Sequence, residues 1–232
     1  MSYNIICNNS LIWLSEQKDH SLSSFLTGLP DMNEVSMDRN RYINFFENCA
    51  NLIFTKMSKK GYAIFIQTDR KIDGEWIDKS YILTDIAKKN NVKLMWHKIV
   101  LQRDVNSIHL QRPTYSHILC YSYMSKPGKC TADVLPIGKK EYENSTPQNA
   151  SDFCAKFLAD YYSPPLTSPP LPPLTSPPLT SPLPLSSINV IDPFVGRGTT
   201  AKSCCLLGLS FLGIDIDKEQ CDKCIKYLSN NL

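Results

Sequence analysis

The sequence has no long apolar run, and no stretch approaches the roughly 18 consecutive apolar residues of a membrane span. Residues 1–25 also lack a basic segment followed by an apolar one, so we expect no secretory signal. The net charge is also small, since 25 Lys and Arg stand against 22 Asp and Glu. A net charge of +3 neither demands nor excludes a nucleic-acid partner. Nine cysteines are an odd number. Without an export signal they predict reduced thiols in an intracellular protein of the cytoplasm or nucleus.

The composition that is present is typical of a folded domain. The chain has 232 residues, of which 42% are apolar, so whole-chain disorder is excluded and one α/β domain, or one domain plus a short appendage, is expected. Basic side chains are concentrated in residues 1–150, with 19 basic against 15 acidic. Residues 151–232 carry six basic and seven acidic side chains. The surplus positive charge therefore lies outside the C-terminal segment.

A proline-rich segment at 163–187 divides the chain. It holds ten of the 16 prolines. Because proline fixes φ and has no amide donor, neither a helix nor a central strand can run through it, and we expect polyproline-like or disordered structure. The segment is either a docking site for a proline-binding domain or an insertion in a surface loop, and we favour the insertion. It separates residues 1–162 from residues 188–232.

Apolar spacing predicts alternating strands and helices on both sides of this linker. The strands are expected at Tyr3–Cys7, Ser24–Thr27, Tyr62–Ile66, Val92–Leu101, Thr114–Tyr123, Ile188–Ile191 and Leu209–Ile214. The helices are expected from Asp38 to Gly61, from Ile77 to Asn90, from Ser151 or Asp152, from Thr199 to Leu207, and after Asp217. This alternation predicts a parallel sheet with helices on both faces.

The most specific motif is the loop Asp192-Pro-Phe-Val-Gly-Arg-Gly-Thr-Thr, between a predicted strand and its helix. Gly196 and Gly198 allow the backbone to turn sharply and to approach a ligand closely. Asp215 ends the next strand, where a carboxylate can accept hydrogen bonds from both hydroxyls of a ribose. Strand, glycine loop, helix and distal acid together predict a site for a nucleoside-containing cofactor.

Two cofactors compete for this site. The spacing Gly196-x-Gly198-x-x-Ala201 also satisfies the loose dinucleotide fingerprint, so an NAD-dependent oxidoreductase is one alternative. However, the charge of Asp192 would repel a pyrophosphate, whereas it can hold an ammonium group. Only 31 residues follow Ala201, too few for a second mononucleotide-binding half. S-adenosylmethionine has an ammonium, a ribose and no phosphate, and it fits these charges better.

The same loop, followed by Phe211-Leu-Gly-Ile-Asp-Ile-Asp217, resembles motifs I and II of the permuted amino-methyltransferases. In these DNA adenine-N6 and cytosine-N4 enzymes the catalytic region precedes the cofactor motif. The resemblance implies an α/β fold with a Rossmann-like, circularly permuted sheet that is mostly parallel and contains an antiparallel hairpin. It makes 1–162 the catalytic and substrate half, and 188–232 the S-adenosylmethionine-binding half, of one domain.

The resemblance also assigns roles to single residues. Asp192 would contact the amino group of the cofactor, Asp215 would hold the ribose, and Tyr3–Cys7 would be the third strand, with Asn8 or Asn9 near the adenine. The helix from Asp152 would close the methionine end. The cofactor candidates are Asp192, Phe194, Gly196, Gly198, Thr199 and Asp215.

The catalytic motif of that family is an acidic or amide residue, two prolines and an aromatic residue. The acceptor side chain and a backbone carbonyl bind the target amino group, and the aromatic ring stacks on the extruded base. Gly28-Leu29-Pro30-Asp31 stands at this place, with Gly28 at the acceptor position and Asp31 at the aromatic position. Pro30 and Asp31 are the catalytic candidates, because Asp31 can still accept a hydrogen bond from a substrate. The alternatives are a solvated turn residue and a charge at the approach to a helix.

The substrate candidates follow the strand at 62–66, because ligands bind beyond the carboxyl ends of parallel strands. Lysines near an indole suit a nucleotide, with Lys for a phosphate and Trp for a base. The candidates are Gln67, Asp69, Lys71, Trp76, Lys79 and, from a later loop, Arg112. A charged loop that caps the following helix is the alternative. Cys221 and Cys224 share a helix face with apolar residues, so packing explains them and we expect no metal site.

We therefore expect an S-adenosylmethionine-dependent methyltransferase that acts on a base nitrogen of RNA or DNA. The interval Ser125–Pro147 is too short for a dedicated reader of duplex sequence, which favours RNA or recognition by shape. The alternatives are a non-catalytic methyltransferase-like binding subunit and an NAD-dependent oxidoreductase. We expect no membrane partner, and a proline-recognition partner at 163–187 stays open.

Overall fold

The computed structural model describes residues 2–125, 131–142, 145–162 and 185–232. The predicted proline-rich linker lies outside these ranges except for its end, where Leu185–Ser187 form a 3₁₀ turn. Its polyproline structure and its proposed partner therefore stay predictions. No helix in the described ranges is long and apolar enough to cross a membrane.

Strands and helices alternate along the described chain. The strands are β1 Tyr3–Cys7, β2 Ser24–Thr27, β3 Ala63–Gln67, β4 Arg70–Ile72, β5 Glu75–Ile77, β6 Lys93–Leu101, β7 Tyr115–Ser122, β8 Val134–Leu135, β9 Val190–Asp192 and β10 Phe211–Asp215. The helices are α1 Ser10–Glu16, α2 Met32–Val35, α3 Arg39–Lys56, α4 Lys79–Lys89, α5 Gln148–Tyr162, α6 Thr199–Leu206 and α7 Lys218–Asn231.

Eight strands form one sheet in the order β1-β10-β9-β2-β3-β7-β6-β8. The strands from β1 to β3 in this order are parallel to their neighbours. β7 is antiparallel to both β3 and β6. The predicted α/β sheet, mostly parallel with an antiparallel hairpin, is confirmed.

The strand order follows from a permuted chain. β1 comes first in the sequence but pairs with β10, with Tyr3 opposite Phe211 and Cys7 opposite Asp215. β9 lies in the middle of the sheet, between β10 and β2. The prediction that Tyr3–Cys7 is the third strand of a permuted sheet is therefore confirmed. Strands from both sides of the proline-rich segment share one sheet.

Helices cover both faces of this sheet. α1, α3 and α4 pack on one face over a core that includes Phe25, Phe65 and Tyr121. α5, α6 and α7 pack on the other face over a second core that includes Leu26 and Ile64. Seven of the eight cysteines in the described ranges are buried, and all eight are free thiols. No cluster of metal-binding side chains lies within these ranges.

The helix predicted from Asp38 begins as expected, because the Asp38 carboxylate accepts a hydrogen bond from the Arg41 amide. Its predicted end at Gly61 is wrong, since α3 ends at Lys56. Gly61 instead allows the backbone to pass close to β2: an added Cβ would lie 2.3 Å from the Ser23 carbonyl oxygen. Tertiary packing, and not helix termination, explains this glycine.

Five short elements were not predicted from the sequence. They are α1, α2, β8 and the hairpin of β4 and β5. The hairpin turns at Asp73 and Gly74, both of which have positive φ, and its strands have only three residues each. Three residues are too few for an apolar alternation to show.

Candidate active site

One cavity of about 760 Å³ lies at the carboxyl end of the parallel strands. The loops after β1, β2, β3, β9 and β10 all line it. Its walls therefore contain both the glycine loop after β9 and the Gly28–Asp31 loop after β2. This position agrees with the general placement of ligands in open α/β sheets.

The two glycines of the motif have different surroundings. Both have positive φ, +51° at Gly196 and +88° at Gly198. A Cβ at Gly196 would meet nothing closer than the Tyr142 hydroxyl, 3.9 Å away, and this residue lines the cavity. A Cβ at Gly198 would lie 2.6 Å from the Cys224 sulfur. Gly198 does not line the cavity and instead allows α7 to pack closely against the loop.

This difference predicts that Gly198→Ala destabilises the fold more than Gly208→Ala. Gly208 follows α6 with φ +77° and has no atom within 4 Å of an added Cβ, so both variants share the cost of left-handed backbone, about 1–2 kcal/mol. Only Gly198→Ala adds overpacking, about 1–3 kcal/mol more. Urea unfolding measures both; equal losses would contradict the packing role.

Asp215 is held rigidly at the end of β10. One carboxylate oxygen accepts from the Gly196 amide at 3.0 Å, and the other from the Asp217 amide at 2.9 Å. Burial raises the pKa of Asp215, although these amides oppose the shift. Each oxygen has further lone pairs, so the carboxylate can accept additional hydrogen bonds from a ligand in the cavity.

Asp192 is almost completely buried, with 2% of its surface exposed, and lies in the cavity wall. Its oxygens accept from Thr27 Oγ1 at 2.7 Å, Thr200 Oγ1 at 2.6 Å and the Phe194 amide at 3.0 Å. Burial raises the pKa of Asp192 to about 6 despite these donors. A cation in the cavity would favour the ionised form.

The remaining cofactor candidates also line the cavity. The Phe194 ring packs edge-on against Phe45, with centroids 6.3 Å apart. The Thr199 hydroxyl donates to the Tyr142 hydroxyl at 3.5 Å. Asn9 lines the cavity as well, but its side-chain oxygen caps α1 by accepting from the Leu11 and Ile12 amides.

Asp31, a catalytic candidate, is surrounded by cations. Its carboxylate contacts Arg70 at 2.9 Å, Lys79 at 3.1 Å and Arg112 at 2.9 Å, and it also accepts from the Met32 amide. Burial alone would raise the pKa of Asp31, but Lys79, the Met32 amide and Arg70 together lower it. Asp31 is thus an ionised carboxylate that joins the Gly28–Asp31 loop, which we call the acceptor loop, to three other segments. Its role as a substrate acceptor stays a prediction.

The backbone of the acceptor loop offers carbonyl oxygens next to the cavity. The Leu29 carbonyl accepts from Gln67 Nε2 at 3.1 Å, and the Pro30 carbonyl from the Tyr42 hydroxyl at 3.1 Å. Each carbonyl oxygen has a second lone pair. A Cβ at Gly28 would lie 3.1 Å from the Ile66 carbonyl oxygen, so a larger residue there would crowd β3.

The substrate candidates separate into two groups. Gln67, Lys79 and Arg112 line the cavity, whereas Asp69, Lys71 and Trp76 do not. Lys71 on β4 and Trp76 on β5 contact each other across the hairpin, with the Lys71 ammonium 4.9 Å from the centre of the Trp76 ring.

Asp69 is buried in a network of its own. It accepts from Trp76 Nε1 at 3.0 Å and the Lys79 amide at 2.9 Å, and contacts His117 Nε2 at 2.9 Å. Burial would raise the pKa of Asp69, but the hydrogen bonds from His117 and Trp76 outweigh it and lower the pKa. Asp69 therefore fixes the start of α4 and, through it, the position of Lys79.

Sequence reasoning did not find Arg70 and Lys140 as site residues. Arg70 contacts Asp31, and Lys140 lines the cavity from the segment before α5. A contact between residues 39 apart in the sequence leaves no pattern in a single chain. Lys140 lies in the interval 125–147, whose spacing has no periodicity.

Comparisons with known proteins agree with this architecture. Residues 183–226 match the DNA methylase family of N6 and N4 methyltransferases. No curated protein sequence matches the chain. TTHA0409 of Thermus thermophilus, a candidate DNA modification methylase, superposes with a TM-score of 0.69 at 11% identity, covering 99% of this chain and 95% of that one.

Two further solved structures are similar in fold. The cytosine-N4-specific PvuII DNA methyltransferase gives a TM-score of 0.68 at 14% identity and covers all of this chain and 88% of its own. The complex of M1.HpyAVI with SAM gives 0.57 at 14% identity, with 97% and 99% coverage. TTHA0409 has also been solved with S-adenosyl-L-methionine. The predicted resemblance is confirmed: a C-terminal segment matches the DNA methylases and the whole chain has their fold.

Proposed function

We propose that this chain is an S-adenosylmethionine-dependent methyltransferase that acts on a base nitrogen of a nucleic acid. One observation carries the proposal: the same cavity connects the Asp192 and Asp215 carboxylates with the Gly28–Asp31 loop. A donor bound at the first end would therefore face an acceptor held at the second. The match of residues 183–226 supports DNA as the polymer.

The cofactor end fits S-adenosylmethionine chemically. The Asp215 carboxylate, fixed by two backbone amides, would accept from the ribose hydroxyls. Asp192 supplies negative charge for the ammonium group. Gly196 leaves space beside the loop, and the Phe194 ring gives an apolar wall. The buried Asp192 carboxylate would repel the pyrophosphate of a dinucleotide, which disfavours the NAD alternative.

The chain contributes position and hydrogen bonding to the transfer. When bound, the cofactor supplies an electrophilic methyl group on a sulfonium. The Leu29 and Pro30 carbonyls can each accept one more N–H, which would orient the lone pair of a base amino group toward that methyl. Gln67 and Tyr42 hold these carbonyls in place. Catalysis would rest mainly on this orientation.

The pKa of Asp192 gives a prediction for Asp192→Asn. Because the folded pKa is raised to about 6, the wild-type chain loses stability as the pH rises from about 4, the unfolded value, through 6. The amide has no charge to bury, so the variant should be at least as stable as wild type at pH 8. Its affinity for S-adenosylmethionine should fall about 10- to 100-fold, since a charge-assisted hydrogen bond is lost.

Thermal melts at pH 4.5 and pH 8, with and without S-adenosylmethionine, measure both effects. Thr55→Ser, whose hydroxyl lies outside the cavity, is the control. If Asp192→Asn binds the cofactor as tightly as wild type, Asp192 is not part of the cofactor site.

The direct test is transfer of a labelled methyl group. The protein is incubated with methyl-labelled S-adenosylmethionine and separate pools of single-stranded DNA, duplex DNA and RNA. Labelled N6-methyladenine or N4-methylcytosine after digestion supports the proposal and identifies the polymer. Label in none of the pools, with cofactor binding present, would contradict the enzymatic assignment.

One observation favours a second candidate, a non-catalytic methyltransferase-like subunit. Gly28 has no acceptor side chain, and the Asp31 carboxylate is already engaged by three cations. Such a subunit would bind the cofactor without transferring its methyl group, and it would activate a partner methyltransferase. Addition of cell extract to the same labelling reaction distinguishes the two.

A further inference from the structure

The loop between β6 and β7, residues 102–114, stands at the mouth of the cavity and is anchored at both ends. The Gln102 amide donates to the Thr114 carbonyl at 2.8 Å, which closes the loop. Its second half is held by the Lys71 amide, which donates to the Gln111 carbonyl at 2.9 Å, and by Arg112, which contacts Asp31. The base of the loop is therefore fixed against the acceptor side of the cavity.

The tip of this anchored loop presents apolar side chains to solvent. Val105 is 73% exposed, Ile108 88% and Leu110 87%. Single exposed apolar residues are ordinary on protein surfaces, but three within six positions form a patch of the kind that marks an interaction site. Both ends of their loop reach the cavity, at Gln102 and Arg112, so a partner bound to this patch would be in contact with the substrate or part of it.

Positive charge lies next to these apolar side chains. Arg112 and Lys140 line the cavity, and Arg103 follows Gln102 in the loop. Burial lowers the pKa of Lys140, and the charges of Arg112 and Arg103 lower it further. Within the described ranges neither Lys140 nor Arg103 has an acidic side chain within salt-bridge distance, and the loop itself contributes one acid, Asp104.

We propose that the loop binds the nucleic-acid strand on either side of the target base. Arg103, Arg112 and Lys140 would hold backbone phosphates at the cavity mouth, while Val105, Ile108 and Leu110 pack against the neighbouring bases. Surplus cations suit phosphate, and apolar side chains inserted at base steps keep a base out of its stack. This inference rests on the proposed function, because it places the target base in the cavity.

The cation part is tested with a fluorescent single-stranded DNA oligonucleotide and Arg103→Gln/Lys140→Gln. Lys59→Gln/Lys60→Gln removes two exposed charges before the amino end of β3, at the opposite end of the strands, and is the matched control. We expect binding to weaken at least ~10-fold in the first variant only. The slope of log K against log salt should decrease by about 1.4, as two phosphate contacts to a single strand require.

The apolar part is tested with Ile108→Ser/Leu110→Ser against Leu206→Ser/Leu207→Ser. The control pair is also exposed, at 50% and 45%, but lies at the end of α6. We expect about tenfold weaker DNA binding in the loop variant with an unchanged salt slope, since stacking and apolar contacts release no counterions. If each of the two test variants binds the DNA oligonucleotide as tightly as its control variant, the inference is overturned.

Two readouts separate this inference from the proposed function. The rise in melting temperature with S-adenosylmethionine should persist in all four variants. If it persists while the wild-type chain does not bind the oligonucleotide, the loop inference fails and the cofactor site stands. If anionic phosphatidylserine vesicles bind wild type, and only this binding is lost in Ile108→Ser/Leu110→Ser, the patch faces a lipid surface and the inference is overturned.

Discussion

Asp215→Ala should weaken S-adenosylmethionine binding at least ~100-fold, because two hydrogen bonds to a charged acceptor contribute about 1.5–3 kcal/mol each. The Asp215 carboxylate is oriented by the Gly196 and Asp217 amides and lies in the cavity wall, so alanine removes an acceptor that is already held in position. Isothermal titration with the cofactor measures the loss directly.

Two controls accompany this experiment. Asp222→Ala removes an exposed carboxylate of α7 that pairs with Lys218, and should leave cofactor affinity unchanged. Asp215→Asn retains one carbonyl oxygen and should bind with intermediate affinity. Unchanged affinity in Asp215→Ala, with a melting temperature close to wild type without cofactor, would rule out the proposed cofactor site.

Asp31→Ala should be strongly destabilising even though Asp31 lies in a loop. Its side chain is 16% exposed and balances Arg70 and Lys79, which are 7% and 2% exposed. Removing one partner of a buried ion pair costs about 3–5 kcal/mol, because the remaining charges stay buried without compensation. For a chain of this size that loss lowers the melting temperature by about 6–20 °C.

The control is Asp160→Ala, which removes an exposed carboxylate 3.8 Å from Lys156 and should change stability by less than about 1 kcal/mol. The effect of Asp31 should also depend on pH. Since its folded pKa is lowered, its stabilisation is fully present above the unfolded value of about 3.9 and is lost as the pH falls through the folded value. The difference in melting temperature between wild type and Asp31→Asn should therefore become smaller below about pH 4. Equal melting temperatures of Asp31→Ala and Asp160→Ala at pH 7 would mean that the cluster is not structural.

The main strands and helices could be predicted from the sequence because they depend on local patterns of residues. The apolar run Tyr62–Ile66 and the caps Asp38 and Asp217 act on neighbouring residues, and the structure has a strand at Ala63–Gln67 and a helix after each cap. The strand, glycine loop and distal acid of the cofactor end are also close in sequence. The permuted motif order then predicted the place of one further strand, Tyr3–Cys7, as the third strand of the sheet.

The acceptor side could not be predicted in the same way. Asp31 contacts residues 39, 48 and 81 positions away, and no spacing in one sequence encodes such contacts. The different environments of Gly196 and Gly198 likewise depend on Cys224, which only the fold brings close. The family motif has an aromatic residue where this chain has Asp31, so it gave no indication of the three cations that surround this carboxylate.

The pairing of β1 with β10 bears on how the chain folds during synthesis. Tyr3 finds its hydrogen-bonded neighbour only when Phe211 has been made, and β9, which separates β10 from β2, is also a late segment. Until then the growing chain exposes the unpaired edges of β1 and β2. A nascent chain with open strand edges is prone to aggregate, so the ribosome-bound protein should depend on chaperones that shield its earliest strands.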